Sequence, residues 1–189
     1  MARPRLRTQI LSAAKSLVQS QGSFAFTMRA VADAAGVTEA SVFNNFGDKA
    51  GLVQALIRES MPQYQTLIQV IEEPEVQSLE VWFKELLAAA IAYFEMVLPL
   101  SSQNMGAGTK TQASPRAEGF YSPRRRLEQQ LESLEQRGSV LLPGGADAAA
   151  LMIMGAAMHS ATTRLSLGQS DAQPDLIGSK IAAFFLRPG

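Results

Sequence analysis

Short apolar stripes with helical spacing, each followed by a glycine, dominate the first sixty residues. Ile10 and Leu17 lie two turns apart on one face before Gly22, and Gly36 and Gly47 end the next two stripes. Glycine readily adopts the left-handed conformation that terminates helices. The pattern therefore predicts a series of short helices joined by tight turns rather than strands.

The second and third stripes predict a helix-turn-helix. Thr27 can cap one helix through its hydroxyl, and Thr38 can cap the next, on which Val42 and Phe46 lie one turn apart. Only the short connection around Gly36 separates the two helices. The third helix would thus bury one face and present the other.

Helical periodicity continues to the end of the chain, with no convincing strand, so we expect an all-α fold of about nine helices. Residues 99–123 contain three prolines and three glycines and no periodicity, which predicts a loop. We expect a domain boundary near residue 60, dividing the chain into 1–60 and 61–189. Asp48 can cap the fourth helix, which is predicted to run toward Met61. The later predicted helices are 62–71, 79–98, 123–137, 148–167 and 175–186.

Composition excludes several functional classes. The 189 residues include no cysteine and one histidine, His159, which argues against thiolate zinc sites, iron–sulfur clusters, cysteine nucleophiles and histidine-rich metal centres. We therefore expect no enzyme activity, no metal and no cofactor. The longest apolar block, residues 148–158, is shorter than the ~20 residues that span a bilayer. These features predict a cytoplasmic protein without a membrane partner.

The formal net charge of +0 hides an asymmetry. Residues 1–60 carry seven basic and four acidic side chains, a net +3, and the other 129 residues carry ten basic and thirteen acidic ones, a net −3. This distribution favours a polyanionic partner for the N-terminal unit alone.

The segment from Arg7 to Leu56 resembles the DNA-binding domain of TetR-family transcriptional regulators. The resemblance is carried, in order, by Ile10, Ala13, Ala14, Leu17, Gly22, Phe24, Thr27, Arg29, Val31-Ala32, Ala35-Gly36-Val37-Thr38, Ala40-Ser41-Val42-Phe43, Phe46, Lys49 and Leu52. It implies a homodimer that binds a palindromic operator and releases it when a small molecule binds the C-terminal domain.

The resemblance also implies site residues. Thr27, Arg29 and Lys49 match positions that hold DNA phosphates. Phe43 departs from the family pattern, in which tyrosine is usual. The positions that match the contact face of the recognition helix are Thr38, Glu39, Ala40, Ser41, Phe43, Asn44 and Asn45.

The C-terminal half is rich in aromatic residues and methionine, which favours an adaptable interior that could enclose an apolar effector. As a lone histidine in an apolar helix, His159 fits a core or interface position better than an effector contact. The candidate effector contacts are Phe83, Tyr93, Met96, Phe120, Met154, Met158 and His159. Small and apolar side chains on the last two helices predict a dimer interface through Ala156, Ser160, Leu165, Ile177, Ile181 and Phe184.

Other interpretations remain open at this level. Arg3, Arg5 and Arg7 fit either a solvated tail or an arm that contacts DNA. The triplet at 124–126 fits a solvated helix start or an anionic effector site. The rival functions are an adaptor whose helix-turn-helix is only structural and an enzyme on a helical scaffold, the latter having few candidate catalytic groups.

Overall fold

A computed structural model describes residues 3–74, 78–102, 122–168 and 174–186. Over these ranges the chain forms nine α-helices, and the one β-type pairing is an isolated antiparallel bridge between Val140 and Leu186. The expected all-α fold is confirmed. In chain order the helices are α1 (Arg3–Gln21), α2 (Met28–Ala35), α3 (Glu39–Phe46), α4 (Lys49–Ser60), α5 (Pro62–Glu72), α6 (Leu79–Ser102), α7 (Ser122–Gln136), α8 (Gly145–Leu167) and α9 (Pro174–Phe185).

The chain divides into two compact units. The first contains α1 to α4 and the end of α6 from Val97, and the second contains α5 from Gln63, the rest of α6, and α7 to α9. The sequence-based boundary after residue 60 lies close to the division between Pro62 and Gln63. The assignment of the end of α6 to the first unit was not part of that prediction.

The first unit is built on apolar side chains from four helices. Ile10 of α1, Val31 of α2, Val42 of α3, and Leu52 and Leu56 of α4 are all completely buried. Burial of each such side chain contributes about 1.5–3 kcal/mol. The one-turn and two-turn spacings visible in the sequence are thus the spacings that meet in this core.

Helix α6 corrects the prediction that a loop begins at Pro99. The helix continues through this proline to Ser102, and the Phe24 amide donates a hydrogen bond to the Leu100 carbonyl at 2.9 Å. A proline removes only one donor from the helix, and a site in the last turn leaves few later bonds to disturb. The predicted loop residues 103–121 lie outside the described part of the chain.

Helix α6 also contributes a buried face to the second unit. Its residues Trp82, Leu86, Ala90 and Tyr93 are buried along one face. The Trp82 indole N–H donates to the Val70 carbonyl of α5 at 2.6 Å, which gives this large side chain a polar anchor.

Helix α9 approaches α6 closely within the second unit. A Cβ atom on Gly178 would lie 2.7 Å from the Lys84 Cα atom, so only glycine fits at this crossing. At the end of α9, the Phe185 carbonyl accepts a hydrogen bond from the Leu141 amide at 2.8 Å.

The start of α8 differs from the predicted one. Asp147, which precedes the predicted first residue 148, lies inside the first turn, and Gly144 occupies the cap position without a side-chain hydrogen bond. An acidic residue in a first turn still interacts favourably with the helix dipole. Helix α8 therefore begins three residues earlier than the sequence predicts, at Gly145 rather than at residue 148.

Candidate nucleic-acid interface and effector region

Helices α2 and α3 form a helix-turn-helix in which both helix starts are capped as expected. The Thr27 hydroxyl accepts from the Ala30 amide, and the Thr38 hydroxyl accepts from the Ser41 amide. Gly36 ends α2 with φ of 64°, a left-handed conformation that favours glycine. The local signals are therefore sufficient to define both helices.

The turn between α3 and α4 explains a glycine that is otherwise unusual inside a helix. A Cβ atom at Gly51 would lie 2.1 Å from the Phe46 carbonyl oxygen. The Gly51 amide donates to the Asp48 carboxylate at 2.7 Å, which caps α4. Glycine is required because the end of α3 packs directly on the first turn of α4.

The outer face of α3 presents short polar groups and one aromatic ring. Thr38, Glu39, Ala40, Phe43 and Asn44 are exposed, and Phe43 retains 44% of its accessible surface. Val42 and Phe46 are buried on the opposite face, as their spacing predicts. All the exposed residues belong to the set predicted to contact DNA.

The two other predicted contact residues, Ser41 and Asn45, are half-buried and hydrogen-bonded within the helix. The Ser41 and Thr38 hydroxyl oxygens lie 2.8 Å apart. The side-chain amide of Asn45 donates to the Ser41 backbone carbonyl at 2.8 Å. These contacts order the side chains that border the exposed face. The side chains of Ser41 and Asn45 therefore stabilise α3 through hydrogen bonds within the helix.

The predicted phosphate contacts lie at two helix starts. Thr27 and Arg29 are exposed at the beginning of α2, and Lys49 is the first residue of α4. The first turn of α2, a helix described throughout, carries no acidic residue, so its amide groups can attract an anion, whereas the Asp48 carboxylate already caps the start of α4. The Lys49 ammonium lies 5.3 Å from the centre of the Phe26 ring, and partial burial lowers the pKa of Lys49.

Arg7 is neither a solvated tail residue nor a free arm. Its guanidinium pairs with the Glu59 carboxylate of α4 at 2.5 Å and lies 4.7 Å from the centre of the Phe46 ring. No local signal indicates this contact, because 52 residues separate the two charges. Arg5 is exposed.

Comparison with known proteins identifies the helix-turn-helix. The family profile described as bacterial regulatory proteins, tetR family, matches residues 10–56. An uncharacterised HTH-type transcriptional regulator of Bacillus subtilis, YvkB, is 43% identical over 51 residues, which are 27% of each chain. The matched stretch thus spans about a quarter of that relative.

Residues 10–56 therefore match the helix-turn-helix segment of the TetR family. The resemblance read from the sequence is therefore confirmed, and it rests on the N-terminal helices.

Solved structures extend the likeness in fold beyond this segment to nearly the whole chain. A protein from Mesorhizobium loti assigned to the TetR-family transcriptional regulators has 20% identity and a TM-score of 0.66, over 99% of this chain and 100% of that one. NalD from Pseudomonas aeruginosa, the secondary repressor of the MexAB-OprM multidrug efflux pump, has 20% identity and a TM-score of 0.63, over 99% and 98%.

A third structure was determined with a ligand. FadR from Bacillus subtilis, solved in complex with stearoyl-CoA, has 18% identity and a TM-score of 0.60, over 93% of this chain and 95% of that one. At these identities the comparison establishes a shared fold.

The candidate effector contacts do not converge on one place. Phe83 stacks on Phe185 with ring centres 6.0 Å apart, whereas Tyr93 lies edge-to-face with Tyr64 at 6.1 Å. Ten residues of helix separate Phe83 from Tyr93, about 15 Å along α6. Phe83 and Tyr93 therefore belong to two separate aromatic clusters, whereas the sequence analysis grouped them as contacts of one effector.

The other candidates differ in exposure. Met154 is buried and Met96 is half-buried, whereas Met158 and His159 are exposed on α8. The exposure of Met158 and His159 does not fit the predicted interior lining, because consecutive residues of α8 cannot all face inward. Phe120 lies outside the described residues.

Tyr93 carries the most unusual polar group of the second unit. Its side chain is completely buried, and its hydroxyl has no hydrogen-bond partner among the residues that the structure describes. Burial, with a smaller effect of Tyr64, raises the pKa of Tyr93 well above its ordinary value. The group therefore stays protonated as a hydrogen-bond donor.

The candidate dimer residues of α8 and α9 mostly lie at a shared surface. Ala156, Ile177, Ile181 and Phe184 line a groove of about 290 Å³ between these helices, together with Met152. Phe184 is 61% exposed, a high value for a large apolar side chain.

The two remaining dimer candidates differ from each other. Leu165 is exposed on α8, and Ser160 is buried inside the protomer. Further apolar side chains, which the sequence analysis did not assign to the dimer interface, are also exposed on these helices. They are Leu151, Met152, Met158, Leu167 and Leu176.

Neither a metal site nor a membrane-spanning helix occurs in the described part of the chain. Across the described part of the chain, no three histidine, aspartate or glutamate side chains gather where they could hold a metal ion. Among residues 3–74, 78–102, 122–168 and 174–186, no helix is long and apolar enough to cross a membrane.

Proposed function

We propose that this chain is a transcriptional repressor that binds a palindromic operator as a homodimer and releases it when a small, largely apolar molecule binds the second unit. The observation that carries the proposal is the exposed outer face of α3. Its capped ends and buried opposite side hold Phe43 and Asn44 outward on a rigid helix.

The exposed face of α3 has the chemistry of direct base readout. An asparagine amide such as that of Asn44 can bond the N6 and N7 edge of adenine. The Glu39 carboxylate can accept from a cytosine amino group, and Ala40 or the Phe43 ring can contact a thymine methyl group. Phe43 supplies no hydroxyl, so apolar contact replaces the phosphate bond of the more usual tyrosine.

Phosphate contacts would fix the orientation of α3 on the duplex. Thr27 and Arg29 at one side and Lys49 at the other bracket the recognition helix, and each lies at a helix start. Contact with a phosphate would offset the partial burial of the Lys49 ammonium, since an anion stabilises its charged form.

In the proposed dimer, α8 and α9 of the two copies pack together. The two-fold symmetry of such a dimer matches a palindromic operator. An isologous dimer places two recognition helices on half-sites ~34–36 Å apart or a multiple of that distance. The exposed Phe184 and Leu165 and the groove beside Ile181 support this surface, because large apolar side chains at such exposure favour burial against a partner.

The effector region is proposed to lie in the second unit around α6. Tyr93 supports it, since a buried hydroxyl without a protein partner gains a hydrogen bond when a ligand supplies one. The ligand named for the FadR structure, stearoyl-CoA, carries a long apolar acyl chain of the kind that an apolar interior could enclose. Release then follows if the effector prefers a conformation in which the two recognition helices no longer match the operator.

A gel-shift titration tests DNA reading. Replacing Ser41 and Asn44 together by alanine removes one polar group that orders α3 and one that faces outward, so specific binding should be lost while the dimer stays folded. Gln19→Ala, at an exposed position of α1 in the same unit, is the matched control and should bind normally.

Salt dependence separates the repressor from a purely structural adaptor. A DNA-binding dimer should lose affinity steeply as the salt concentration rises, because counterions are released on binding. Unchanged binding by the double variant would contradict the assignment of α3 as the reading helix. Weak, sequence-independent binding by the wild type would favour the adaptor.

A further inference from the structure

We propose that Arg7 is a positioning residue for DNA reading: from α1, it holds the last turn of the recognition helix α3 against α4, in partnership with Glu59. The inference rests on the proposed DNA-binding function. It assigns a role to a side chain that would otherwise be taken for a phosphate contact.

The Arg7 guanidinium forms a fork on the Glu59 carboxylate. Nη2 lies 2.5 Å from Oε1, and Nε lies 3.3 Å from Oε2. Two parallel contacts of this kind fix the plane of the guanidinium as well as its position. Glu59 lies near the end of α4, so the pair ties the first helix of the unit to the fourth.

The same guanidinium also reaches the carboxyl end of α3. Nη1 lies 3.5 Å from the Asn45 carbonyl oxygen, and the Cζ atom lies 4.7 Å from the centre of the Phe46 ring. The last carbonyls of a helix lack partners within it, and a cation near them interacts favourably with the helix dipole. Helix α3, described throughout, has no basic residue in its own last turn, so Arg7 supplies that cation from another helix.

The contact bears directly on the reading face. Phe43 and Asn44 occupy the same final turns of α3 that Arg7 holds, and the Asn45 amide continues the support to the Ser41 carbonyl. Phe43, Asn44 and Asn45 border one cleft of about 400 Å³ together with Arg7 and Glu59. Loss of the fork would allow the end of α3 to shift or fray, which changes where Phe43 and Asn44 point.

The arrangement requires arginine and a carboxylate, not merely two charges. A lysine keeps the positive charge but cannot contact Glu59, the Asn45 carbonyl and the Phe46 ring with one planar group. The Glu59 carboxylate balances the charge of Arg7. This position therefore contributes little to the general attraction of DNA phosphates.

The test compares binding to two duplexes. One is selected by the wild-type protein from a random-sequence pool, and the other is a scrambled duplex of the same composition. Arg7→Lys and Glu59→Gln should each lower the ratio of selected to scrambled affinity by about three- to tenfold, a size expected for a partly exposed ion pair combined with a cation–π contact. Neither should weaken scrambled binding.

Arg58→Lys and Asp33→Asn are matched controls on exposed side chains of the same unit, and both should preserve the ratio. All measurements are made at a temperature where circular dichroism shows each variant fully folded. A merely structural role would lower the melting temperature and leave the ratio unchanged, which would overturn the proposal.

The Glu59→Gln variant and the salt slope separate positioning from phosphate contact. If Arg7 contacted a phosphate, removing its carboxylate partner would tighten binding to both duplexes, and Arg7→Gln would lower the salt slope by about 1. Either result would overturn the proposal, which expects weaker selected binding and an unchanged slope. If the wild type selected no sequence at all, the proposed function itself would fail.

Discussion

Helices α3 and α8 both expose a face to solvent, but the two faces are chemically opposite. Helix α3 has eight residues and presents Glu39, Asn44 and the single ring of Phe43, whereas α8 has 23 residues and presents leucine and methionine side chains. A polar face on a short, capped helix suits the edges of base pairs. An apolar face on a long helix suits another apolar surface. Exposure alone thus identifies no partner, and the residue types decide.

The two regions also differ in how tightly the backbone is packed around a glycine. The first unit depends on a turn that only glycine permits, between Phe46 and Gly51, while the middle of α8 leaves open space around Gly155. The comparison predicts that similar substitutions should act very differently in the two regions.

The largest expected effect is that of Gly51→Ala. The added Cβ atom would overlap the Phe46 carbonyl oxygen, and we expect a loss of about 3 kcal/mol in the free energy of unfolding. Gly155→Ala is the control, because alanine is the better helix former and should be neutral or stabilising by up to about 1 kcal/mol. Chemical denaturation monitored by circular dichroism measures both.

An equally large loss in the free energy of unfolding for Gly155→Ala would contradict the expected difference between the two regions. It would mean that another molecule approaches α8 at that point. Gly178→Ala provides a second reference, with its Cβ atom 2.7 Å from the Lys84 Cα atom. It should be destabilising, but its effect would report on the second unit.

The next effect concerns association. Phe184→Lys places a charge on the exposed apolar face of α9 and should weaken dimerisation by about 2 kcal/mol, the size typical of a central interface residue. Analytical ultracentrifugation measures the change in the dissociation constant. Leu141→Lys, at another exposed apolar side chain of the second unit, is the matched control.

If Leu141→Lys dissociated the dimer and Phe184→Lys did not, the association surface would lie elsewhere than on α8 and α9. In the proposed symmetric dimer each copy contacts one half-site, so DNA affinity should fall together with dimerisation. A monomer with unchanged operator affinity would contradict the symmetric arrangement.

The smallest effect is expected at Tyr93. Tyr93→Phe removes a buried hydroxyl that has no partner in the described part of the chain, so the ligand-free protein should gain about 1 kcal/mol of stability. Thermal denaturation tests this gain. A loss of stability would show that the hydroxyl is already hydrogen-bonded, and it would remove the main support for an effector contact there.

Local chemistry made much of the first unit predictable. Thr27, Thr38 and Asp48 cap their helices as their residue types suggest, and Gly36 ends α2 in the expected left-handed conformation. Each of these interactions spans only a few residues. Such contacts can be recognised in one sequence because the participating atoms are brought together by the helix itself.

Longer-range contacts could not be predicted in this way. Arg7 meets Glu59 only after four helices have packed, and the requirement for Gly51 depends on how closely α3 and α4 approach. Pro99 misled the prediction because proline usually stops a helix, whereas near the end of α6 it is accommodated. Likewise, the methionines of α8 gave no sign of which would be buried.

The length of α3 has a further consequence. A free peptide of eight residues does not form a stable helix in water, since isolated helices shorter than about 12–15 residues are marginal. The recognition helix therefore exists only as part of the cooperative unit that surrounds it. Heating should abolish sequence discrimination and melt the first unit over the same narrow temperature range, so that loss of reading is an all-or-none event.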